Sequence, residues 1–447
     1  MKSSTFGEYL RKALPEPFTI ALLLTGLVFV LPLIFVPERP SITAILGNWY
    51  QGFWELLGFS MQMVLILVLG HTLALTPQAQ RVIDKLTGLV AHSPARAAAL
   101  TGLTALVAGF INWGLCVVFG AILARKVAER AKQNGTPINY PLVAAAGYCG
   151  MMVWHGGLSG SAPLVVAGRG HFLENILGIV PVSQTLFSSL NIWVTLSLLV
   201  VVPAGLYLLG KKAPATPALL PDTIATENKA EYKSAASGAE RLDRSPVTGQ
   251  IAGVVMLGYS IYLAVISESG LSFLDLNYIN FLIFGLCLLL HGSIDRFLLA
   301  VQQAVGGASG IIIQFPFYAG IMGIMKYSGL IVIFANAFIN NASPALLPFL
   351  TFLSAGLINI FVPSGGGQWA VQGPIISQAA IGLGVPVEWV VMALAYGDGL
   401  TNMLQPFWAL PLLGITGLQA RDILPYTLFI LMLGFLVYGV FLIFWAY

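Results

Sequence analysis

Apolar runs separated by short polar stretches fill the chain, and the runs are of two kinds. Uninterrupted ones predict spanning helices at Pro17–Val36, Leu56–Leu75, Phe187–Leu209, Thr248–Ile266, Tyr278–Leu290, Val305–Met325 (bent at Pro316) and Tyr426–Trp445. Others are interrupted by glycine, proline and amide residues. Arg96–Arg125 has no charge inside it and would be about 45 Å long as one helix at ~1.5 Å per residue. The hydrocarbon core is only about 30 Å thick, and the run is interrupted at Asn112-Trp113-Gly114. The run from Tyr140 is interrupted at His155–Ser161, and Val387–Leu412 near Gly397-Asp398-Gly399. Between the first two spans, Ile42–Glu55 is amphipathic, with Trp49, Tyr50 and Trp54 suited to headgroup depth.

The stretch Pro344–Ala380 centres on Asn359-Ile360-Phe361-Val362-Pro363-Ser364-Gly365-Gly366-Gly367-Gln368-Trp369. Three glycines continue a helix poorly, at roughly 1 kcal/mol each relative to Ala, and Pro363 donates nothing to a helical ladder. Non-helical backbone at membrane depth survives only where protein or a water-filled cavity satisfies it. Broken segments of this kind point to a transporter's binding site. Gly366 is expected to let the tip backbone approach the substrate closely, in space that any Cβ would occupy.

Charge placement decides how the chain threads. Arg81, Lys85 and Arg96 precede the Asn112 interruption, and Arg125, Lys126, Arg130 and Lys132 follow it. Cytoplasmic loops collect Lys and Arg, so both ends belong inside and the run folds as a re-entrant hairpin. Residues 211–247 read as a hydrophilic cytoplasmic linker between a first repeat (1–210) and an extra span plus second repeat (248–447). With the N-terminus cytoplasmic and the C-terminus outside, every Lys and Arg except Arg39, Arg169 and Lys326 lies inside. Ala108–Asn112 matches Ala355–Asn359, Gly147-Tyr148 matches Ala395-Tyr396, Ala162-Pro163-Leu164 matches Leu410-Pro411-Leu412, and Gln62 matches Gln314. The expected fold is an all-α polytopic membrane protein. It is an inverted-topology repeat with two re-entrant hairpins and broken transmembrane helices, whose site lies where the breaks meet.

Composition agrees: of 447 residues 57% are apolar and only 9% charged. The first run lacks a small-residue cleavage site and reads as a retained helix. Cys116, Cys149 and Cys287 have no metal-ligand spacing, so no metal or other cofactor is expected. The net charge of +3 follows from cytoplasmic loops and implies no nucleic-acid partner.

Asp398 is the sharpest chemical signal, because a carboxylate inside a span is costly unless it faces water, an ion or a partner. His155 lies at the corresponding break of the first half, so the two are the candidates for ion coupling. Candidate substrate contacts are Asn112, Trp113, Gly114, Ser159, Ser161, Asn359, Ser364, Gly365, Gly366, Gly367, Gln368, Thr401, Asn402 and Gln405. Half-helices starting at the breaks would point amides at a small carboxylate. Trp113, Trp154, Trp369, Phe407 and Trp408 are candidates for an apolar wall. Gly157-Leu158-Ser159-Gly160 also fits an intramembrane serine protease, which needs a histidine poised to deprotonate the serine. A passive carboxylate channel is a further alternative.

Six stretches carry a family resemblance: Gly52–Leu57, Phe59–Met63, Ile111–Gly114, Gln314–Gly320, Val362–Gln368 and Gln405–Pro411. Together they resemble the bacterial short-chain fatty acid transporters of the acetoacetate/butyrate type, and the resemblance covers essentially the whole chain. It implies a secondary carrier for short-chain monocarboxylates in the inner (cytoplasmic) membrane. The layout, similar to that of a wider group of inverted-repeat transporters, implies a homodimer and elevator-type movement. The Ser-Asn-Thr tips of sodium-coupled dicarboxylate carriers are absent. That departure argues against sodium coupling. With no fixed positive charge facing the anion and Asp398 at the midplane, proton symport is the expected coupling, with a sodium-coupled carboxylate carrier as the alternative. The expected partners are the substrate, a coupling proton or sodium ion, and lipid.

Overall fold

The computed structural model describes residues 17–55, 57–90, 93–171, 173–213, 238–267, 273, 276–330, 332–333, 342–361 and 365–445. Among them the chain is helical, without strands. The first group of helices is α1 (Pro17–Phe35), α2 (Ile42–Glu55), α3 (Leu57–Ala74) and α4 (Pro77–Val90). Next come α5 (Pro94–Ile111), α6 (Trp113–Gln133), α7 (Tyr140–Tyr148), two short 3₁₀ turns, and α8 (Ser161–Ala167). Helix α9 (Ser189–Lys212) closes the first half. The second half begins with α10 (Pro246–Ile266), α11 (Leu276–His291) and α12 (Ile294–Tyr327). It continues with α13 (Leu347–Phe361), α14 (Gly365–Leu383), α15 (Val387–Thr401), α16 (Pro406–Thr416) and α17 (Ala420–Phe444).

The helix starts follow from capping chemistry. Ser93, Asn139, Ser188, Ser245 and Ser293 each accept a first-turn amide, and proline occupies the first turn of α5, α7, α10 and α16. Asn112 serves two helices from one extended residue (φ −159, ψ 129), ending α5 and capping α6 through Leu115 N–H. One such residue turns the chain back on itself. Cys116 Sγ donates to the Ala105 carbonyl across the pair, so α5 and α6 form a helical hairpin.

Both ends of this hairpin emerge at one end of the bundle. Lys126 on α6 pairs with Asp84 and Gln80 of α4, the helix that leads into α5. The second hairpin, α13–α14, enters from the other end. Leu347 at its start and Ala380 at its end cluster with Leu173 and Val180, which follow α8. Tyr140 at the start of α7 meets the end of α16 at Thr416, so the two broken helices run in opposite directions. This is the inverted-repeat layout. Glycines let its backbones touch: a Cβ on Gly120 or Gly147 would overlap the other residue's carbonyl.

Helices α5, α9, α10 and α17 are the described helices long and apolar enough to span a bilayer unbroken, although the hairpin makes α5 one arm of a turn. Shorter apolar helices include Ala21–Phe35 and Asn277–His291. Most of the expected linker, 214–237, lies outside the described residues, as do Val362, Pro363 and Ser364.

Four local expectations need correction. Helix α12 has 34 residues and starts at Ile294 rather than Val305, with Pro316 inside it. Gly397-Asp398-Gly399 is not a break, because α15 runs through it to Thr401. The chain leaves the α form at 402–405, where Gln405 is extended (φ −94, ψ 112) as a residue before proline prefers. Gly365-Gly366-Gly367 forms the first turn of α14, where helix amides lack intrahelical partners in any case. Finally, Asn359 lies inside the last turn of α13 and does not open a tip as Asn112 does.

Candidate functional site

The centre of the bundle brings the two broken helices together. His155, in the 3₁₀ turn after α7, is fully buried, and its Nδ1 lies 2.6 Å from Asp398 Oδ2 on α15. Its Nε2 accepts the Ala162 N–H from the first turn of α8 at 3.0 Å. An amide N–H can only donate, so Nε2 is the bare nitrogen, and Nδ1 of the neutral ring carries the hydrogen that Asp398 accepts. The ring also stacks on Trp154, with centroids 4.6 Å apart.

Close backbone approach makes this pairing possible. A Cβ on Gly365, at the start of α14, would stand 2.6 Å from His155 Cε1 and 3.0 Å from both Ser161 Oγ and the Trp154 ring. A Cβ on Gly399 would stand 2.7 Å from the Met152 carbonyl. Glycine at these two positions lets α14 and α15 reach the first-half break.

Amides hold the surrounding carbonyls. Asn359 Nδ2 donates to the Asp398 carbonyl at 2.7 Å, to Thr401 Oγ1 at 2.9 Å and to Asn402 Oδ1 at 3.2 Å. Gln405 Nε2 donates to the Asn359 carbonyl at 2.6 Å, and Asn402 Nδ2 to that of Met151 at 3.2 Å. Ser159 Oγ accepts the Trp113 N–H at 3.1 Å, and the Leu158 N–H reaches the Phe110 carbonyl at 2.7 Å. These bonds tie the first hairpin tip to the His155 break. Gln368 Nε2 donates to the Ala355 carbonyl and to Gln372 Oε1, which joins α14 to α13.

The sequence-predicted residues thus fall into one neighbourhood, with exceptions. Ser364 lies outside the described residues, and so does the Phe407 side chain. Trp369 packs with Ala162, Val166, Leu347 and Leu394, apart from the Trp113–Trp154–Trp408 group. Gly114 meets the Ile66 carbonyl of α3, so it serves the packing of the hairpin. The protease pattern does not assemble: both nitrogens of His155 are committed to Asp398 and Ala162, leaving neither for Ser159.

Sequence reasoning passed over the groups that brace the break. Asn191 on α9 is buried, donates to the carbonyls of Gly156 and Leu186, and accepts Tyr396 Oη–H at 3.1 Å. Tyr438 donates to the Met152 carbonyl and Tyr148 to that of Asn402. Asn191 is a polar residue near the start of an apolar span, which is the signal that would have found it.

Similarity to known proteins extends along the whole chain. The family described as "Short chain fatty acid transporter" matches residues 2–445. The chain belongs to that family. A protein of Escherichia coli strain K12, provisionally named a short-chain fatty acid transporter, is 39% identical over 421 residues, 94% of this chain and 93% of its own. A protein of Haemophilus influenzae with the same provisional name is 38% identical over 427 residues, again 94% of this chain and 93% of the relative. Among solved structures, the Alcanivorax borkumensis YdaH transporter, described as having an unusual topology, aligns over 95% of this family member and 98% of its own chain. Its identity is 16% and its TM-score 0.46. Neisseria gonorrhoeae MtrF, described with a class of antimetabolite efflux pumps, aligns over 97% of each chain at 17% identity and a TM-score of 0.45.

Proposed function

We propose that the chain imports short-chain monocarboxylates such as acetoacetate and butyrate across the inner membrane by proton symport. The observation that carries the coupling is the buried His155–Asp398 pair, tied to α8 by the Ala162 amide. A proton arriving at this centre has two places to go. On the other carboxylate oxygen of Asp398 it neutralises the carboxylate. On His155 Nε2 it must displace the Ala162 N–H, which shifts α8 relative to the ring. Proton occupancy and the position of a half-helix are then linked, as a symporter requires.

Electrostatics supports a co-transported cation. A negative-inside potential of 100 mV opposes entry of one anion by about 2.3 kcal/mol, roughly a 50-fold concentration ratio. One proton moving with each carboxylate removes that opposition. The rest of the proposal is a homodimer with both hairpins re-entrant, the N-terminus in the cytoplasm and the C-terminus outside. A second reading, sodium coupling, is favoured by the buried Asn359 Oδ1 and Gln405 Oε1, two oxygens that make no hydrogen bond among the described residues. Uptake of labelled butyrate into proteoliposomes under imposed proton or sodium gradients tests both. Accumulation driven by a pH gradient alone is the expected result. Accumulation driven only by sodium overturns the proton reading, and equilibration without accumulation under either gradient leaves a channel.

A further inference from the structure

Each unpaired amide in the site has its orientation set by a backbone partner. Asn112 Oδ1 accepts the Leu115 N–H at 2.9 Å, which leaves Nδ2 buried and unpaired among the described residues. In the second half the polarity is reversed. Asn359 Nδ2 and Gln405 Nε2 donate to the carbonyls of Asp398 and Asn359, and Gln368 Nε2 donates to that of Ala355. Their oxygens, Asn359 Oδ1, Gln405 Oε1 and Gln368 Oε1, are the atoms left over. Flipping any of these amides would set oxygen against carbonyl oxygen, or nitrogen against an N–H donor.

Two buried indoles extend the set of donors. Trp113 Nε1 and Trp154 Nε1 make no hydrogen bond among the described residues, and their rings stand 6.3 Å apart. Trp113 also opens the 21-residue α6, whose N-terminus carries partial positive charge. Gly365, the N-terminal residue of α14, is close enough that a Cβ on it would stand 3.0 Å from the Trp154 ring. A carboxylate offers only acceptor oxygens, so it is matched by these groups and opposed by the second half's bare oxygens.

We infer that the substrate carboxylate is held by the first half, by Asn112 Nδ2 and the Nε1–H groups of Trp113 and Trp154. This inference rests on the carboxylate-transport reading above and assigns it a subsite. The Trp408 ring, 5.0 Å from that of Trp113 and edge-on to it, supplies an apolar wall against which a short acyl chain can lie. The oxygens of Asn359 and Gln405 are left for whatever carries a hydrogen or a positive charge.

Calorimetric titration of the purified full chain with butyrate and with its neutral analogue butyramide tests this. The wild type should prefer butyrate. Trp154→Phe keeps a ring and removes one donor, and should weaken butyrate about 10-fold, the scale of one hydrogen bond to a charged group, while changing butyramide less. Asn112→Asp keeps the oxygen that caps α6 and replaces Nδ2 with a carboxylate oxygen, and should weaken butyrate by more. Trp369→Phe, whose indole lies in a separate cluster, should leave the preference intact. Wild-type selectivity in Trp154→Phe overturns the subsite, and that variant decides alone if Asn112→Asp fails to fold. So does loss of selectivity in Trp369→Phe instead. A wild type that binds neither probe overturns the carboxylate reading and the subsite with it.

Discussion

His155 Nδ1 lies 2.6 Å from Asp398 Oδ2, and the two residues are 243 positions apart, one in each half of the chain. The bond joins titratable side chains of the two broken helices, and it is fully removed from solvent on the histidine side. Because Ala162 N–H holds the opposite ring nitrogen, the imidazole donates to Asp398 and takes nothing from it. Any proton bound here must therefore change either the carboxylate or the contact with α8.

Asp398→Asn separates these alternatives. The amide is nearly isosteric and cannot take up and release a proton. Accumulation of butyrate under a pH gradient should fall to the level of empty liposomes. Exchange of labelled for unlabelled butyrate, which needs no net proton movement, should stay within several-fold of wild type. If the Asp398→Asn protein still concentrates butyrate under a pH gradient, Asp398 has no part in the coupling.

Much of this arrangement was legible in the sequence, and the reasons differ by residue. Asn112 stood out because it interrupts an uncharged run too long for one span, with basic residues at both ends. The structure adds that one extended residue there, capping α6, reverses the chain. Asp398 stood out because an ionisable group within a span is costly. The pairing of Asp398 with His155 was not legible, since matching breaks imply proximity but no side-chain bond. The triple glycine was misplaced because propensity counts its cost in mid-helix, whereas in a first turn the amides are unpaired anyway. Gly397 and Gly399 misled for a different reason. They lie inside the continuous α15, and a Cβ on either would strike a backbone carbonyl, that of Phe352 or that of Met152, so they mark close packing and not a break.

The close approach at Gly365 yields a second prediction. The built Cβ lies 2.6 Å from His155 Cε1, and His155 cannot yield without stretching its bonds to Asp398 and Ala162. Gly365→Val should lower butyrate uptake at least ~10-fold, since overpacking costs on the order of 1–3 kcal/mol. The protein should still elute as a folded species on size exclusion. Wild-type uptake by this variant would show that α14 can move away from His155 at no cost to transport.

Asn191 should act as a positioning residue. It holds the carbonyl of Gly156, next to His155, and is itself held by Tyr396 Oη–H. Asn191→Leu leaves two carbonyls and one hydroxyl without this partner, at about 1–3 kcal/mol for each buried group left unpaired. Tyr396→Phe removes only one donor and should cost about 1 kcal/mol. The discriminating measurement is the pH profile of uptake. Asn191→Leu should shift it, because the His155 turn loses its anchor, whereas a purely structural role would lower uptake equally at every pH. In the double variant the two losses should be less than additive.

The last prediction concerns which end of each hairpin faces which side. At one end of the bundle Lys126 of α6 pairs with Asp84 of α4 at 2.9 Å. At another point far along the chain, Lys326 and Tyr327 at the end of α12 both bond to Glu55 at the end of α2. Helix α3 lies between Glu55 and the α4 that carries Asp84, and its 18 residues span about 27 Å at ~1.5 Å per residue. That length approaches the hydrocarbon thickness of about 30 Å, and the pairs should lie on opposite faces of the membrane. The native cysteines, Cys116, Cys149 and Cys287, are buried, which keeps background labelling low. Asp84→Cys should react with a membrane-impermeant maleimide only from the cytoplasm, and a cysteine replacing Glu55 only from outside. Lys126→Cys should behave as Asp84→Cys does, because α5 and α6 return to the same end. Labelling of Lys126→Cys from outside would turn α6 into a crossing helix, and the two hairpins would no longer enter from opposite faces.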